Sequence, residues 1–198
     1  FIKQFGQPTL VLAPTVTIRQ QWVDRINTAF LANPLHAEQL ISQDLKNPKL
    51  ITIATYQALH SAMIQLKGES RAEDTDDQAE IEHFDYQGFD VVATFKEHAF
   101  GTLCLDECHH LRNEWWKSLE AFRNSFTSIH MISLTATPPY DDDPALWKRY
   151  ITMCGQIDEE ITVPELVKEN SLCPHQDYVY FSFPTREEKK QLKAIDIQ

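Results

Sequence analysis

Leu103-Cys104-Leu105-Asp106-Glu107-Cys108-His109-His110 is the stretch on which the fold turns. Three apolar residues run straight into two adjacent carboxylates, the pattern of a buried strand that ends where it meets solvent. Three more runs are of the same kind: Thr9-Leu10-Val11-Leu12-Ala13, residues 50–55 (LITIAT) and His130-Met131-Ile132-Ser133-Leu134. Each is nearly continuously apolar instead of alternating, so both faces of each strand are expected to be covered. Helical patterns lie between them. Ile18, Trp22, Ile26 and Phe30 recur every four residues after the first run, and Thr15 or Thr17 can cap the start of that helix. Trp116, Leu119, Phe122 and Phe126 form a second stripe after the third. Strands alternating with helices predict an α/β fold, a parallel sheet with helices on both faces.

In such a sheet, ligands collect beyond the carboxyl ends of the strands, which is where Asp106 and Glu107 fall. The pair suits nucleotide hydrolysis. Magnesium keeps most of its waters and needs only a carboxylate or two, so Asp106 can hold it while Glu107 orients the attacking water. A plain solvated turn is the alternative reading of the same two residues. About 30 residues on, Ser133-Leu134-Thr135-Ala136-Thr137-Pro138-Pro139 ends the next strand with two hydroxyls around a small residue and two prolines that stop pairing. Alone, this is a strand leaving a sheet; after the Asp-Glu-Cys-His strand, the Thr135 hydroxyl can reach His109.

The whole chain has 198 residues, 42% of them hydrophobic, enough for one good core and an appendage. The formal net charge of −11 argues against a nucleic-acid binder, since phosphate contacts need Lys and Arg. Its distribution softens that objection. Residues 69–85 hold eight carboxylates against the single Arg71, a local net of −7, and Asp141, Asp142 and Asp143 bring this to −10, so the remainder is nearly neutral. We read 69–85 as an acidic insertion, peripheral and mobile. The four cysteines (Cys104, Cys108, Cys154, Cys173) form no CxxC pair and fit a reducing cytoplasm better than a disulfide framework. Cys104, Cys108, His109 and His110 superficially suggest zinc, but Cys104 belongs to an apolar run. No apolar run approaches the roughly 20 residues that span a bilayer. From about Tyr150 the pattern changes: a connecting strand and a short helix over 158–172, an alternating strand over 177–183, a helix over 187–195. We divide the chain into 1–150 and 151–198.

Taken in order, these motifs resemble the first RecA-like lobe of superfamily 2 helicases of the DExH type, over about residues 9–140. Leu12-Ala13-Pro14-Thr15 with Gln21-Trp22 resembles the family's first nucleic-acid-contacting motif, and Ala54-Thr55-Tyr56-Gln57 its next. Asp106-Glu107-Cys108-His109 resembles the motif that binds magnesium and activates water, and Thr135-Ala136-Thr137 the one that couples hydrolysis to strand movement. The resemblance implies an ATP-dependent helicase or translocase with ATP and magnesium as cofactors and nucleic acid as partner, DNA ahead of RNA. It assigns Asp106, Glu107 and His109 to catalysis, Asp106 and Glu107 to magnesium, and Thr135, Ala136 and Thr137 to coupling. Pro14, Thr15, Gln21, Thr55 and Tyr56 are assigned to nucleic acid, although Thr15 and Thr55 are equally explained as a helix cap and a strand end.

Restriction-enzyme motor subunits and repair-type duplex translocases resemble it most, and 151–198 is then the passage into a second lobe. The family's phosphate loop, GxxxxGK[ST], is not in the sequence. With Phe1 in place of an initiator Met, we expect a truncated lobe whose phosphate loop and second lobe lie elsewhere in the parent. A degenerate helicase-like module that only binds is the second reading, and a metallohydrolase using Asp106, Glu107 and His110 the third. Thr135 beside His109 would favour the motor, and three convergent metal ligands the metallohydrolase.

Overall fold

The computed structural model describes residues 4, 6–31, 37–66, 85–139, 143–174, 178–179, 181–186 and 188–189. Nearly all of the acidic stretch, 69–84, lies outside these, as does most of the helix expected over 187–195. Five parallel strands make one sheet: β1 (Thr9–Ala13), β2 (Ile41–Ser42), β3 (Ile51–Thr55), β4 (Thr102–Asp106) and β5 (His130–Leu134), in the order β2-β3-β1-β4-β5. Two-residue β2 carries too short a run to stand out in the sequence.

The continuous apolar runs are explained by cover on both faces. Leu10 and Leu12 of β1 and Leu103 and Leu105 of β4 point into one cluster, and Val11 and Cys104 into the other. Helix α1 (Val16–Arg25) covers the second face with Val23, Trp22 and the following Ile26. The first face is covered by α3 (Tyr56–Leu66), α4 (Val91–Glu97), α5 (Asn113–Asn124) and α6 (Pro144–Cys154), a short α2 (Ala37–Leu40) having come before β2. On α5 the expected stripe is the buried one: Trp116, Leu119 and Phe122 lie in the core, and Phe126 packs against it from beyond the helix end. Edge strand β5 is only partly covered.

The first stripe needs correction at its end. After Arg25 the backbone widens into a π-turn over Ile26–Phe30, closed by Leu31 N–H on the Ile26 carbonyl. Bonding from i to i+5 moves each later residue off the four-residue stripe. Phe30 is accordingly 79% exposed, while Val23, absent from the expected stripe, is buried.

The chain forms two compact units, 1–156 and 157–198. In the second, α7 (Val163–Lys168) starts with a capping box in which Thr162 N–H and hydroxyl both donate to Glu165. The strand expected over 177–183 is not formed at the described positions. Tyr178, Val179, Phe181 and Phe183 are exposed coil, and positions 177 and 180 lie outside the described residues.

Candidate active site

Asp106 is the last residue of β4 and pairs with Leu134 of β5. The ladder takes one more bond, Glu107 N–H to the Leu134 carbonyl at 2.9 Å, and then the chain turns sharply. Glu107 has φ 51° and ψ 39°, the left-handed region, and Cys108–His110 follow as one turn of 3₁₀-helix. For a residue with a side chain that conformation costs about 1–3 kcal/mol, which the surrounding bonds must offset. The turn brings the functional groups of Glu107 and His109 onto one hydroxyl.

That hydroxyl belongs to Thr135. Its Oγ1 lies 2.9 Å from Glu107 Oε2 and 2.9 Å from His109 Nδ1, and it also accepts the Thr137 N–H at 3.1 Å. A carboxylate can only accept, so the one hydroxyl proton goes to Glu107, and His109 must donate from Nδ1. The far nitrogen of the ring, Nε2, is 2.9 Å from the Thr137 hydroxyl. Glu107 Oε2 is also 3.3 Å from His109 Nδ1. Glu107, Thr135, His109 and Thr137 are therefore one network, with the imidazole side chain 6% exposed and the carboxylate 29%.

Asp106 is held separately. Its Oδ2 accepts the Trp22 indole N–H at 2.7 Å, and its backbone carbonyl accepts the Tyr56 hydroxyl at 3.0 Å. Burial pushes the Asp106 carboxyl above its ordinary value; the indole N–H works against that shift and the Glu107 charge adds to it. The topology explains why this residue is at a site. From β1 the chain moves through α1 on one face toward β2 and β3, and from β4 to β5 across the other face, so the order in which strands are added reverses between β1 and β4. The crevice beyond such a reversal is where open α/β sheets take ligands, and Asp106 and Trp22 meet there.

The donor set fits magnesium in the way a nucleotide site does. Trp22 occupies one Asp106 oxygen, Oδ2, so Oδ1 is the oxygen that would serve a hydrated hard cation. Among the described residues no three His, Cys, Asp or Glu side chains gather to hold a metal by themselves. The side chain of His110, needed for the metallohydrolase reading, is outside the description. Cys108 is buried with its sulfur 3.3 Å from Cys154 of α6.

Most of the remaining candidate residues lie at or just after strand ends at the carboxyl edge of the sheet; Gln21 lies within α1. Ala13 pairs with Thr55, and β4 and β5 continue the same edge. Their side chains differ in access. Thr15 and Gln21 are exposed and Pro14 half-buried; Ala136 and Thr137 are exposed and Thr135 half-buried. Thr15 does cap α1, accepting the Ile18 N–H at 3.2 Å, yet remains at the surface. Thr55 and Tyr56 are 3% and 2% exposed. The Thr55 hydroxyl accepts the Ala58 N–H at 3.1 Å, and that of Tyr56 is spent on Asp106, so both turn inward and away from a strand track. The hydrogen bond from Trp22 to Asp106 is a contact that sequence reading missed, since the sequence places Trp22 in an apolar stripe and beside Gln21 in a motif, not against Asp106.

The family described as Type III restriction enzyme, res subunit, matches residues 1–140. The chain belongs to this family. It is a helicase-like RecA lobe of superfamily 2, as its motifs implied. No curated protein matches the chain. Among solved structures, the crystal structure of Pyrococcus furiosus Hef helicase domain is similar at 17% identity and a TM-score of 0.49, over 80% of this chain. The chain spans 29% of the length of that structure. No helix among the described residues is long and apolar enough to cross a membrane.

Proposed function

We propose that the chain is the hydrolytic half of an ATP-driven motor that moves on nucleic acid, DNA ahead of RNA. The observation that carries this reading is the sharing of the Thr135 hydroxyl by Glu107 and His109, because it ties the water-orienting carboxylate to the loop that leaves the next strand. Magnesium bound with ATP would neutralise charge developing on the transferred phosphoryl group. Asp106 would hold that cation, with Oδ2 already taken by Trp22. Glu107 orients the attacking water and accepts its proton, and Thr135 fixes the carboxylate in place. His109, held at Nδ1 by Thr135 and at Nε2 by Thr137, stiffens that loop against the site.

On the strand side, Pro14, Thr15 and Gln21 with the loop at Thr135–Thr137 offer hydroxyls and backbone N–H groups to phosphates. Thr55 and Tyr56 act from beneath, capping α3 and holding Asp106. The phosphate cradle and the second lobe come from outside these residues, with 1–150 as first lobe and 151–198 as the passage onward. The test is ATP hydrolysis by the full-length protein with duplex DNA, single-stranded DNA and RNA. Stimulation by one of these supports the reading.

The sequence GxxxxGK[ST] is not among the 198 residues, and this favours a second reading, a lobe that binds nucleic acid without hydrolysis. Tight binding with no turnover in the same assay would select it.

A further inference from the structure

Asp106 and Glu107 are neighbours in sequence, yet different parts of the fold govern them. Thr135 and Thr137 reach Glu107 and His109, whereas Asp106 takes its side-chain bond from Trp22, 84 residues away on α1. An indole N–H can donate and cannot accept, so this contact has one sense only. At 2.7 Å it is at the short end of N–H···O distances, as expected when the acceptor is charged. The bond is also selective between the two carboxylate oxygens: it takes Oδ2 and not Oδ1. From the other side the buried Tyr56 hydroxyl fixes the Asp106 carbonyl. Backbone and side chain of the residue are thus pinned by donors from the segments following β1 and β3.

We propose that Trp22 is a positioning residue whose indole N–H sets the Asp106 carboxylate for the magnesium of a magnesium–nucleotide complex, an inference that rests on the nucleotide-hydrolysis reading above. Trp22 touches neither nucleotide nor metal. Its effect is on the rotamer of Asp106, so its loss lowers metal affinity and leaves nucleotide affinity without metal untouched.

Trp22→Phe in the full-length protein keeps an aromatic ring on α1 and removes only the donor and part of the ring system. Manganese, which reports its own binding by electron paramagnetic resonance, is titrated into protein with ADP, and ADP binding is measured separately in EDTA. Loss of one hydrogen bond to a charged group predicts about tenfold weaker manganese binding, with ADP affinity in EDTA unchanged and the magnesium needed for half-maximal ATPase raised to match. Wild-type protein that binds no manganese with ADP would overturn the nucleotide reading and this inference together. Wild-type binding with an identical metal affinity in Trp22→Phe overturns the inference alone. Should Trp22→Phe not fold, the assigned indole N–H resonance of Trp22 in the wild type answers instead: it must shift when magnesium and ADP are added, and a stationary resonance overturns the proposal.

Discussion

Thr135 Oγ1 and His109 Nδ1 stand 2.9 Å apart at the ends of neighbouring strands, and the same oxygen serves Glu107. Among side chains of similar size only serine offers the same single donor and accepting lone pairs. Thr135→Val keeps the shape, removes the hydroxyl and leaves His109 Nδ1 and Glu107 Oε2 without it. Unpairing groups of this kind costs about 1–3 kcal/mol. We expect stimulated ATPase of the full-length protein to fall by roughly tenfold to a hundredfold, with ATP affinity little changed. Wild-type turnover in Thr135→Val would remove the shared hydroxyl from the mechanism.

Glu107→Gln changes little in volume and leaves the left-handed backbone, but removes the charge proposed to orient water. Hydrolysis in the full-length protein is expected to vanish while nucleotide still binds. Residues 1–198 alone, which contain no phosphate loop, are expected to hydrolyse ATP negligibly. Steady-state release of phosphate measures both, and a variant with normal turnover excludes Glu107 as the water-orienting group.

Asp106 gives a pH-dependent stability with a definite sign. Burial raises its pKa in the fold, so its contribution favours folding below the unfolded aspartate value of about 4 and is lost as pH rises through the raised value. At pH 7 the ionised carboxylate therefore costs stability. Asp106→Asn should melt at a higher temperature than wild type at pH 7 in EDTA, and the gap should close as the pH falls below about 4. Equal or lower melting at pH 7 would mean that the charged form is better satisfied in the crevice than its burial indicates.

Thr15 allows capping and strand binding to be separated. Asp is about as good an N-cap as Thr, and its charge suits the positive end of a helix. Thr15→Asp should leave melting within about 1 kcal/mol of wild type while weakening nucleic-acid binding and its stimulation of ATPase, more strongly at low salt. Unchanged affinity across salt concentrations would leave Thr15 with the cap alone. The same substitution at Thr55 could not make this distinction, since that side chain is buried.

Four strands and the main helices were legible because each buries a run or stripe whose period survives in the sequence. β1, β4 and β5 lie where the apolar runs put them, and β3 begins one residue later. What was not legible has local causes. The π-turn at Ile26–Phe30 breaks the helical period from within, and β2 is too short to carry a period. The alternation over 177–183 has the residues of a strand, but alternation states only what a pleated surface would accept, not that a partner is at hand. At the site, Thr135 stands beside His109 as the sequence implied, and its bond to Glu107 comes in addition. The partners of Asp106 did not follow from the sequence: an indole in an apolar stripe reads as core, and a tyrosine at a strand end reads as surface. It is the strand order, with β1 between β3 and β4, that brings the segments after β1 and β3, and with them Trp22 and Tyr56, to one aspartate.

The left-handed backbone at Glu107 sets folding against function at a single position. With φ at 51°, glycine or asparagine would satisfy the turn at less cost than glutamate. A library of this chain selected for heat resistance alone would therefore drift away from glutamate at 107 and reward proteins that fold better and do nothing. Selection on turnover would hold glutamate there and look for its compensation in neighbours such as the Leu134 carbonyl and the Thr135 hydroxyl, which hold the turn closed.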